Sequence, residues 1–281
     1  MKKLATVLAI GTALVAGSVS ASPVNVGGVV WDPASLDDYF ATDTMYESVA
    51  IPTGAMSTGV ANVYDFTGSN ELKGYGKITN INGDTTTFCP GCELTYQFGG
   101  LYLNQWIDVD GDGSVDAGDH ISFTGGWVNF YVDFTPDFNN VSSASAGDEG
   151  GANNLWLSLA GNTQTATYGA NSISGTLFST ITTGTLGTGT EGGNGFGNFD
   201  VTGGLANANF DTDSQVGGSD FRFTSSYQPR TCSPTCPEGN NLFGSNDIYA
   251  DSIPEPGMLA LFGAGLIGLG ATAVRRRKIA A

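Results

Sequence analysis

The chain has 281 residues, of which 42 are glycine and only 13% are charged, and 27 acidic residues stand against 10 basic ones. The formal net charge of -17 disfavours binding to phosphate backbones, so no nucleic-acid partner is expected. Glycine at about 15% without a G-X-Y period excludes collagen and favours a chain rich in loops or strands. An aromatic content of 11% excludes a wholly disordered chain.

The charges are unevenly distributed along the chain. Six of the basic residues lie at the two ends, whereas residues 22–253 hold four basic and 26 acidic residues, a formal charge of -22. Both basic clusters flank apolar runs, which is typical of segments that membrane machinery recognises. The middle of the chain is therefore predicted to be a strongly acidic body between two targeting segments.

The N-terminus has the three parts of a secretory signal peptide. Lys2 and Lys3 are followed by an apolar stretch at residues 4–15 and by the small residues Val19-Ser20-Ala21. The apolar stretch is too short for a membrane-spanning helix. We therefore expect residues 1–21 to direct the chain to the Sec translocon and to be removed by signal peptidase after Ala21.

The strands come next in chain order, and most are marked by alternating apolar and polar residues. Such alternation, or a short run rich in β-forming residues, predicts strands at 24–30, 61–66, 74–81, 94–98, 102–107, 120–123, 128–134, 155–159, 176–181, 199–202 and 220–225. Turns are predicted at Asn82-Gly83, Pro90-Gly91, Gly99-Gly100, Gly125-Gly126 and Gly203-Gly204. Residues 22–252 are thus predicted to form an all-β domain, an antiparallel β-sandwich or jelly-roll-like fold with glycine-rich loops.

An acidic loop at residues 108–119 has the spacing of a calcium-binding loop. Carboxylates occupy positions 1, 3, 5, 9 and 12, glycine occupies position 6, and position 7 offers a backbone carbonyl. The predicted ligands are Asp108, Asp110, Asp112, Ser114, Asp116 and Asp119. Five carboxylates within twelve residues would repel one another without a cation, which gives calcium binding a physical reason.

Two features of this loop depart from an EF-hand. The flanking segments predict strands and not helices, so the loop is expected to be structural and not a switch. Asp119 stands where glutamate is usual, and its shorter side chain leaves bidentate coordination open. The alternative is a solvated acidic turn of the Asp-Gly type.

The four cysteines form two short motifs, Cys89-Pro-Gly-Cys92 and Cys232-Ser-Pro-Thr-Cys236. Export to an oxidising compartment favours disulfides, and we expect the local pairs 89 with 92 and 232 with 236. A zinc site built from both motifs is the main alternative. A redox centre is disfavoured because Cys92 precedes a strand and not a helix.

The C-terminus has a short proline motif, an apolar segment and a basic end. Pro254, Glu255 and Pro256 precede residues 257–274, which carry no charge and would span about 27 Å as a helix. Arg275, Arg276, Arg277 and Lys278 follow, and the positive-inside rule keeps them on the cytoplasmic side. A plain transmembrane anchor is the alternative to a processed tail.

In this order and spacing, the segment resembles the PEP-CTERM protein-sorting signal of Gram-negative bacteria. The resemblance covers residues 253–281 and implies recognition of Pro254, Glu255 and Pro256 by an exosortase, with Arg275, Arg276 and Arg277 as the stop signal. It also implies transient anchoring in the inner membrane and then release to the cell surface or extracellular matrix. Proteins with this signal occur in species that make exopolysaccharide, biofilm or flocs.

Three functions remain open for the acidic body. The first, which we favour, is a non-enzymatic surface or matrix protein that associates with exopolysaccharide and takes part in biofilm or floc formation. The second is a carbohydrate-binding module that uses exposed Trp127, Tyr131 and Trp156. The third is a secreted glycan hydrolase, although no carboxylate pair is marked and the single histidine, His120, is predicted to begin a strand.

Overall fold

The computed structural model describes residues 23–33, 38–50, 52, 54–68, 70–139, 141–147 and 154–253. Its strands are β1 (Val24–Val26), β2 (Val29–Trp31), β3 (Asp38–Val49), β4 (Ala55–Ser57), β5 (Val63–Phe66), β6 (Glu71–Ile78), β7 (Asn80–Ile81), β8 (Glu93–Ile107), β9 (His120–Asp133), β10 (Leu155–Gly161), β11 (Gln164–Tyr168), β12 (Asn171–Gly175), β13 (Leu177–Thr183), β14 (Gly192–Gly203), β15 (Phe221–Pro229) and β16 (Leu242–Ala250). Helical turns are short: α1 (Asn207–Phe210) and 3-10 helices at Ser143–Ala146, Val216–Gly218 and Pro237–Gly239.

Eight of these strands form one closed antiparallel sheet. Its order is β9, β13, β14, β15, β16, β3, β6 and β8, and β8 pairs again with β9 along most of its length. Strand β10 lies beyond the end of β13, where it pairs with both β9 and β14. The short strands β4, β5 and β7 extend the sheet, and β1–β2 and β11–β12 form separate hairpins.

This architecture confirms the predicted all-β antiparallel class but differs from the predicted sandwich or jelly roll. Both arrangements bury one face of every strand, so both give the same alternation in the sequence. Closure depends on β9 having a partner on each side, and strand pairing over long sequence distances leaves no local pattern. The alternation in the sequence therefore predicts which face of each strand is buried, but it does not predict that the sheet is closed.

Two predicted turns are irregularities inside long strands. Gly99-Gly100 lies within β8 and Gly125-Gly126 within β9, where the two strands pair across them as Gly99 with Trp127 and Leu101 with Gly125. Positive φ angles of 67° at Gly100 and 99° at Gly126 bend the strands without ending them. Such bends let strands of 14 and 15 residues curve around a closed sheet.

An aromatic cluster fills part of the interior. Trp156 packs edge-on against Trp31 at 5.8 Å between ring centroids and lies 5.7 Å from Phe210, and its indole N–H donates to the carbonyl of Val26. A register shift in β10 between Leu155 and Leu157 turns Trp156 inward, where it is 1% exposed. The bulge thus couples the N-terminal hairpin to the closed sheet.

The chain ends lie outside the described residues. These include the predicted signal peptide at 1–21 and the predicted membrane segment at 257–274. Within the part that is described, no helix has the length and apolar character needed to cross a bilayer.

Candidate functional site

The acidic loop at residues 108–119 connects β8 to β9, the two longest strands of the sheet. Ile107 and His120 pair at its base, so the two ends of the loop are held together by the ladder. The flanking segments are strands, as the sequence predicted. The loop is therefore a hairpin connection with a rigid base.

The structure brings the five carboxylates of this loop into two overlapping groups. Oxygens of Asp108, Asp110 and Asp119 lie within 4.8 Å of one another, and so do those of Asp110, Asp112 and Asp116. Asp110 belongs to both groups. Carboxylate oxygens gathered in this way are the ligands that Ca²⁺ prefers.

Hydrogen bonds within the loop fix the two buried carboxylates. Asp108 accepts from the backbone N–H of Gly111 at 2.7 Å and of Gly113 at 3.0 Å. Asp119 accepts from Val109 at 2.9 Å and from Asp116 at 3.1 Å. Both side chains are nearly inaccessible, so the first and last acidic residues of the loop form its inner side.

The remaining predicted ligands lie toward solvent. Asp110 and Asp112 are exposed, and their side chains accept from the N–H groups two residues ahead, those of Asp112 and Ser114. Ser114 itself is exposed and occupies the position at which the pattern uses a backbone carbonyl.

Desolvation and neighbouring carboxylates raise the pKa of two carboxyl groups in this loop. Desolvation raises the pKa of Asp116, and the neighbouring carboxylates of Asp112, Asp110 and Asp108 raise it further. Burial also raises the pKa of Asp119, with smaller contributions from Asp108 and Asp116. A divalent cation would relieve this repulsion.

A second loop, residues 184–191, supports the acidic loop from the side of β13. The N–H of Leu186 donates to the carbonyl of Val115 at 3.0 Å, and Asp116 forms an isolated bridge with Thr185. The buried carboxylate of Glu191 accepts from the N–H groups of Gly187 and Thr190, both at 2.9 Å. Glu191 therefore holds the supporting loop in shape.

His120 begins β9, as predicted from the sequence. Its imidazole stacks on the ring of Tyr168 at 3.8 Å between centroids, and Nδ1 lies 2.8 Å from the hydroxyl oxygen of Thr180. Partial burial lowers the pKa of His120. The imidazole thus joins β9 to the β11–β12 hairpin and to β13.

The three aromatic residues proposed for sugar binding do not share one surface. Trp127 is 39% exposed and Tyr131 is half-buried, and both point outward from β9. Trp156 is buried by the bulge in β10, so its predicted exposure is wrong. A bulge shifts the alternation by one residue, which the periodicity of the sequence did not reveal.

All four cysteines are disulfide-bonded in local pairs. Cys89 bonds Cys92 and Cys232 bonds Cys236, with Cα separations of 5.1 and 4.9 Å. This is the pairing preferred from the sequence. The zinc alternative is wrong, because disulfide sulfurs are not thiolate ligands.

Comparison with known proteins identifies the C-terminal segment. Residues 252–278 match the family model described as the PEP-CTERM protein-sorting motif. The chain carries a PEP-CTERM sorting signal. No curated protein and no solved structure matches the chain.

The PEP-CTERM motif implies an exported protein that an exosortase sorts after transient anchoring in the membrane. The match contains Pro254, Glu255 and Pro256 and the basic residues Arg275, Arg276 and Arg277. These residues lie outside the described part of the chain. The last described residues, Asp251 to Ile253, follow directly from β16.

The body of this PEP-CTERM protein also contains an acidic residue that sequence reasoning missed. Glu47 lies on the inner face of β3 between Met45 and Val49 and is 5% exposed. It lines two small interior cavities of about 40 and 30 Å³, and Glu191 lines the second. Burial, reinforced by Glu191, raises the pKa of Glu47 to about 8. A glutamate at an inward position of an apolar alternation was the signal that could have revealed it.

Proposed function

We propose that this chain is a non-enzymatic protein that an exosortase sorts to the cell surface or extracellular matrix, where it associates with exopolysaccharide in biofilm or flocs. The observation that carries the proposal is the sorting motif at residues 252–278. The signal peptide pattern at residues 1–21 agrees with it, because a sorted chain must first be exported. Sec translocon, signal peptidase and exosortase are then successive partners.

Calcium binding by the acidic loop is the second part of the proposal. Asp108, Asp110, Asp112, Asp116 and Asp119 would supply side-chain oxygens, and Ser114 would supply its backbone carbonyl. The buried pair Asp108 and Asp119 is already oriented by backbone donors. Extracellular calcium is abundant, so a dissociation constant of about 10⁻⁴ to 10⁻³ M would be sufficient. The bound ion would stabilise the β8–β9 connection.

The non-enzymatic role is supported by the contacts of cysteine and histidine, two residue types that often act in catalysis. The cysteines are in disulfides, and His120 is stacked on Tyr168 and within hydrogen-bonding distance of Thr180. Release of new reducing ends from any member of a glycan panel incubated with the protein would contradict this part of the proposal.

Cell fractionation tests the sorting proposal. The protein is followed in its host and in a strain without exosortase activity, with a variant in which Pro254-Glu255-Pro256 is replaced by three alanines as the matched control. The expected result is surface or matrix protein in the parent and membrane-retained protein in the other two strains. Soluble periplasmic protein in all three strains would contradict sorting.

Calorimetric titration of the purified full-length protein with calcium tests the loop. The expected result is one site in the range of about 10⁻⁴ to 10⁻³ M. Calcium at one hundred times the dissociation constant should stabilise the fold by about 2.7 kcal/mol. The absence of both binding heat and a shift in melting temperature at that concentration would rule out the calcium site.

A further inference from the structure

A second candidate site lies on the outer face of β6, β8 and β9, apart from the acidic loop. It is an open cleft of about 340 Å³, which we name the Trp127 cleft, lined by Glu71, Lys73, Gln97, Trp127, Glu238 and Asn240. Gly74 and Gly99 of the sheet also line it. The 3-10 helices Ser143–Ala146 and Pro237–Gly239 contribute the opposite wall. Its volume is within the range typical of ligand sites.

The indole of Trp127 lies against two glycines of β8, Gly99 and Gly100. A Cβ at Gly99 would lie 3.0 Å from Cζ2 of the indole, and a Cβ at Gly100 would lie 3.0 Å from Cδ1. Both atoms belong to the Nε1 edge of the indole, so this edge of the ring lies against the two glycines. The side chain is 39% exposed, so part of the ring is open to solvent.

This exposure sets Trp127 apart from the other tryptophans of the chain. Trp31 and Trp106 are each 2% exposed and Trp156 is 1% exposed. The chain therefore buries three of its four tryptophans and exposes the fourth at the edge of a cleft. An exposed aromatic ring in a cleft is suited to contact with the apolar C–H face of a sugar ring.

Polar groups beside the ring are already held in position. Glu71 Oε1 accepts from the N–H of Gly100 at 2.7 Å, and Gln97 Nε2 donates to the carbonyl of Ser143 at 2.7 Å. Glu238 Oε2 accepts from the N–H of Ser143 at 3.0 Å. Each of these side chains keeps further donor or acceptor capacity for hydroxyl groups. Because they are pre-positioned, little side-chain entropy is lost on binding.

Charge decides which class of sugar polymer fits. The cleft has two carboxylates and one lysine, and the body around it has a formal charge of -22. This field repels uronic-acid and sulfated polymers. A neutral chain meets no such cost, and its hydroxyls match both the carboxylates and the amides of Gln97 and Asn240.

We propose that the Trp127 cleft binds a neutral polysaccharide, with one sugar ring stacked on Trp127 and neighbouring hydroxyls bonded to Glu71, Gln97 and Glu238. This proposal rests on the exopolysaccharide association in the proposed function, and it names the site and the class of polymer for it. The polymer makes no covalent bond with the protein. The binding test uses purified protein, so its outcome does not depend on tail processing.

Selective oxidation of tryptophan by N-bromosuccinimide tests the proposal on the unaltered full-length protein. Trp127 should react first, because the other three indoles are buried. Amylose, a β-1,3-glucan, hydroxyethylcellulose and galactomannan serve as neutral probes, and alginate serves as the anionic probe. The expected result is protection of Trp127 by at least one neutral polymer and none by alginate. Absence of protection by every neutral polymer, or protection by alginate instead, would overturn the proposal.

A matched pair of variants tests the stacking directly. Phe196 is 38% exposed on the outer face of β14, away from the cleft, and so matches Trp127 in exposure. In affinity electrophoresis with the protecting polymer, Trp127→Ala should weaken binding on the order of tenfold or more, and Phe196→Ala should leave it unchanged. Equal binding by both variants would refute the assignment, and circular dichroism verifies that each is folded.

Discussion

Replacing Glu47 with glutamine should remove a large pH dependence from the folding stability of the protein. Glu47 is enclosed in the closed sheet, where burial and the nearby carboxylate of Glu191 raise its pKa to about 8 from an ordinary value of 4.5. Glutamine has nearly the same shape as the protonated acid and has no proton to lose in this range. The variant therefore isolates the titration of one carboxyl group.

The sign and size of the effect follow from proton linkage. The folded protein keeps the Glu47 proton up to about pH 8, whereas the unfolded chain loses it near pH 4.5. The stability contributed by this group is therefore fully present below pH 4.5 and is lost as the pH rises to 8. At about 1.4 kcal/mol per pH unit, the loss is on the order of 5 kcal/mol.

Thermal unfolding of wild type and Glu47→Gln at pH 4, 6 and 9 measures this loss. The two proteins should have similar melting temperatures at pH 4, and the variant should exceed the wild type by on the order of 10 °C at pH 9. Because the acidic loop titrates in both proteins, its effect cancels in the difference between their melting temperatures. A difference in melting temperature between Glu47→Gln and wild type that stays constant from pH 4 to pH 9 would refute the reasoning.

Three further substitutions test the fold and the acidic loop. Trp156→Ala should lower the free energy of unfolding by about 3–5 kcal/mol in urea titrations, because it empties the aromatic cluster, and a loss below 1 kcal/mol would contradict its burial. Gly126→Ala should cost about 1–3 kcal/mol, because φ is 99° and the new Cβ would lie 2.5 Å from Cδ2 of Leu101; an unchanged midpoint would argue against the bend. Asp110→Asn should weaken calcium binding on the order of tenfold or more, and the control Asp247→Asn on β16 should not; equal affinities would remove Asp110 from the site.

Local alternation predicted most strands of the body but missed two long ones. Strand β3 places Asp38, Thr42 and Glu47 on its inner face, and β16 carries Gly244 and Asn246 among its apolar residues. Polar residues that face inward break the period-2 pattern on which the prediction rests. Apart from the local alternation around Glu47, their burial is a property of the closed sheet as a whole and could not be derived from either strand alone.

The arrangement of the acidic loop could be predicted from the sequence more fully than that of the residues around it. Ligand spacing is local, and the five carboxylates of residues 108–119 come together around Asp110 as the spacing requires. The supporting loop at residues 184–191 is distant in sequence, and its organising carboxylate, Glu191, lies in a glycine- and threonine-rich stretch without a recognisable pattern. Trp127 likewise lies against Gly99 and Gly100 only because β8 pairs with β9.

The intact mass of the protein isolated from the cell surface or matrix tests the central claim most directly. Sorting by exosortase predicts a chain that begins at Ser22 and lacks the basic end Arg275, Arg276, Arg277 and Lys278. The same measurement in a strain without exosortase activity should give a chain that retains this end. A surface protein whose mass includes residues 257–281 in both strains would contradict the account.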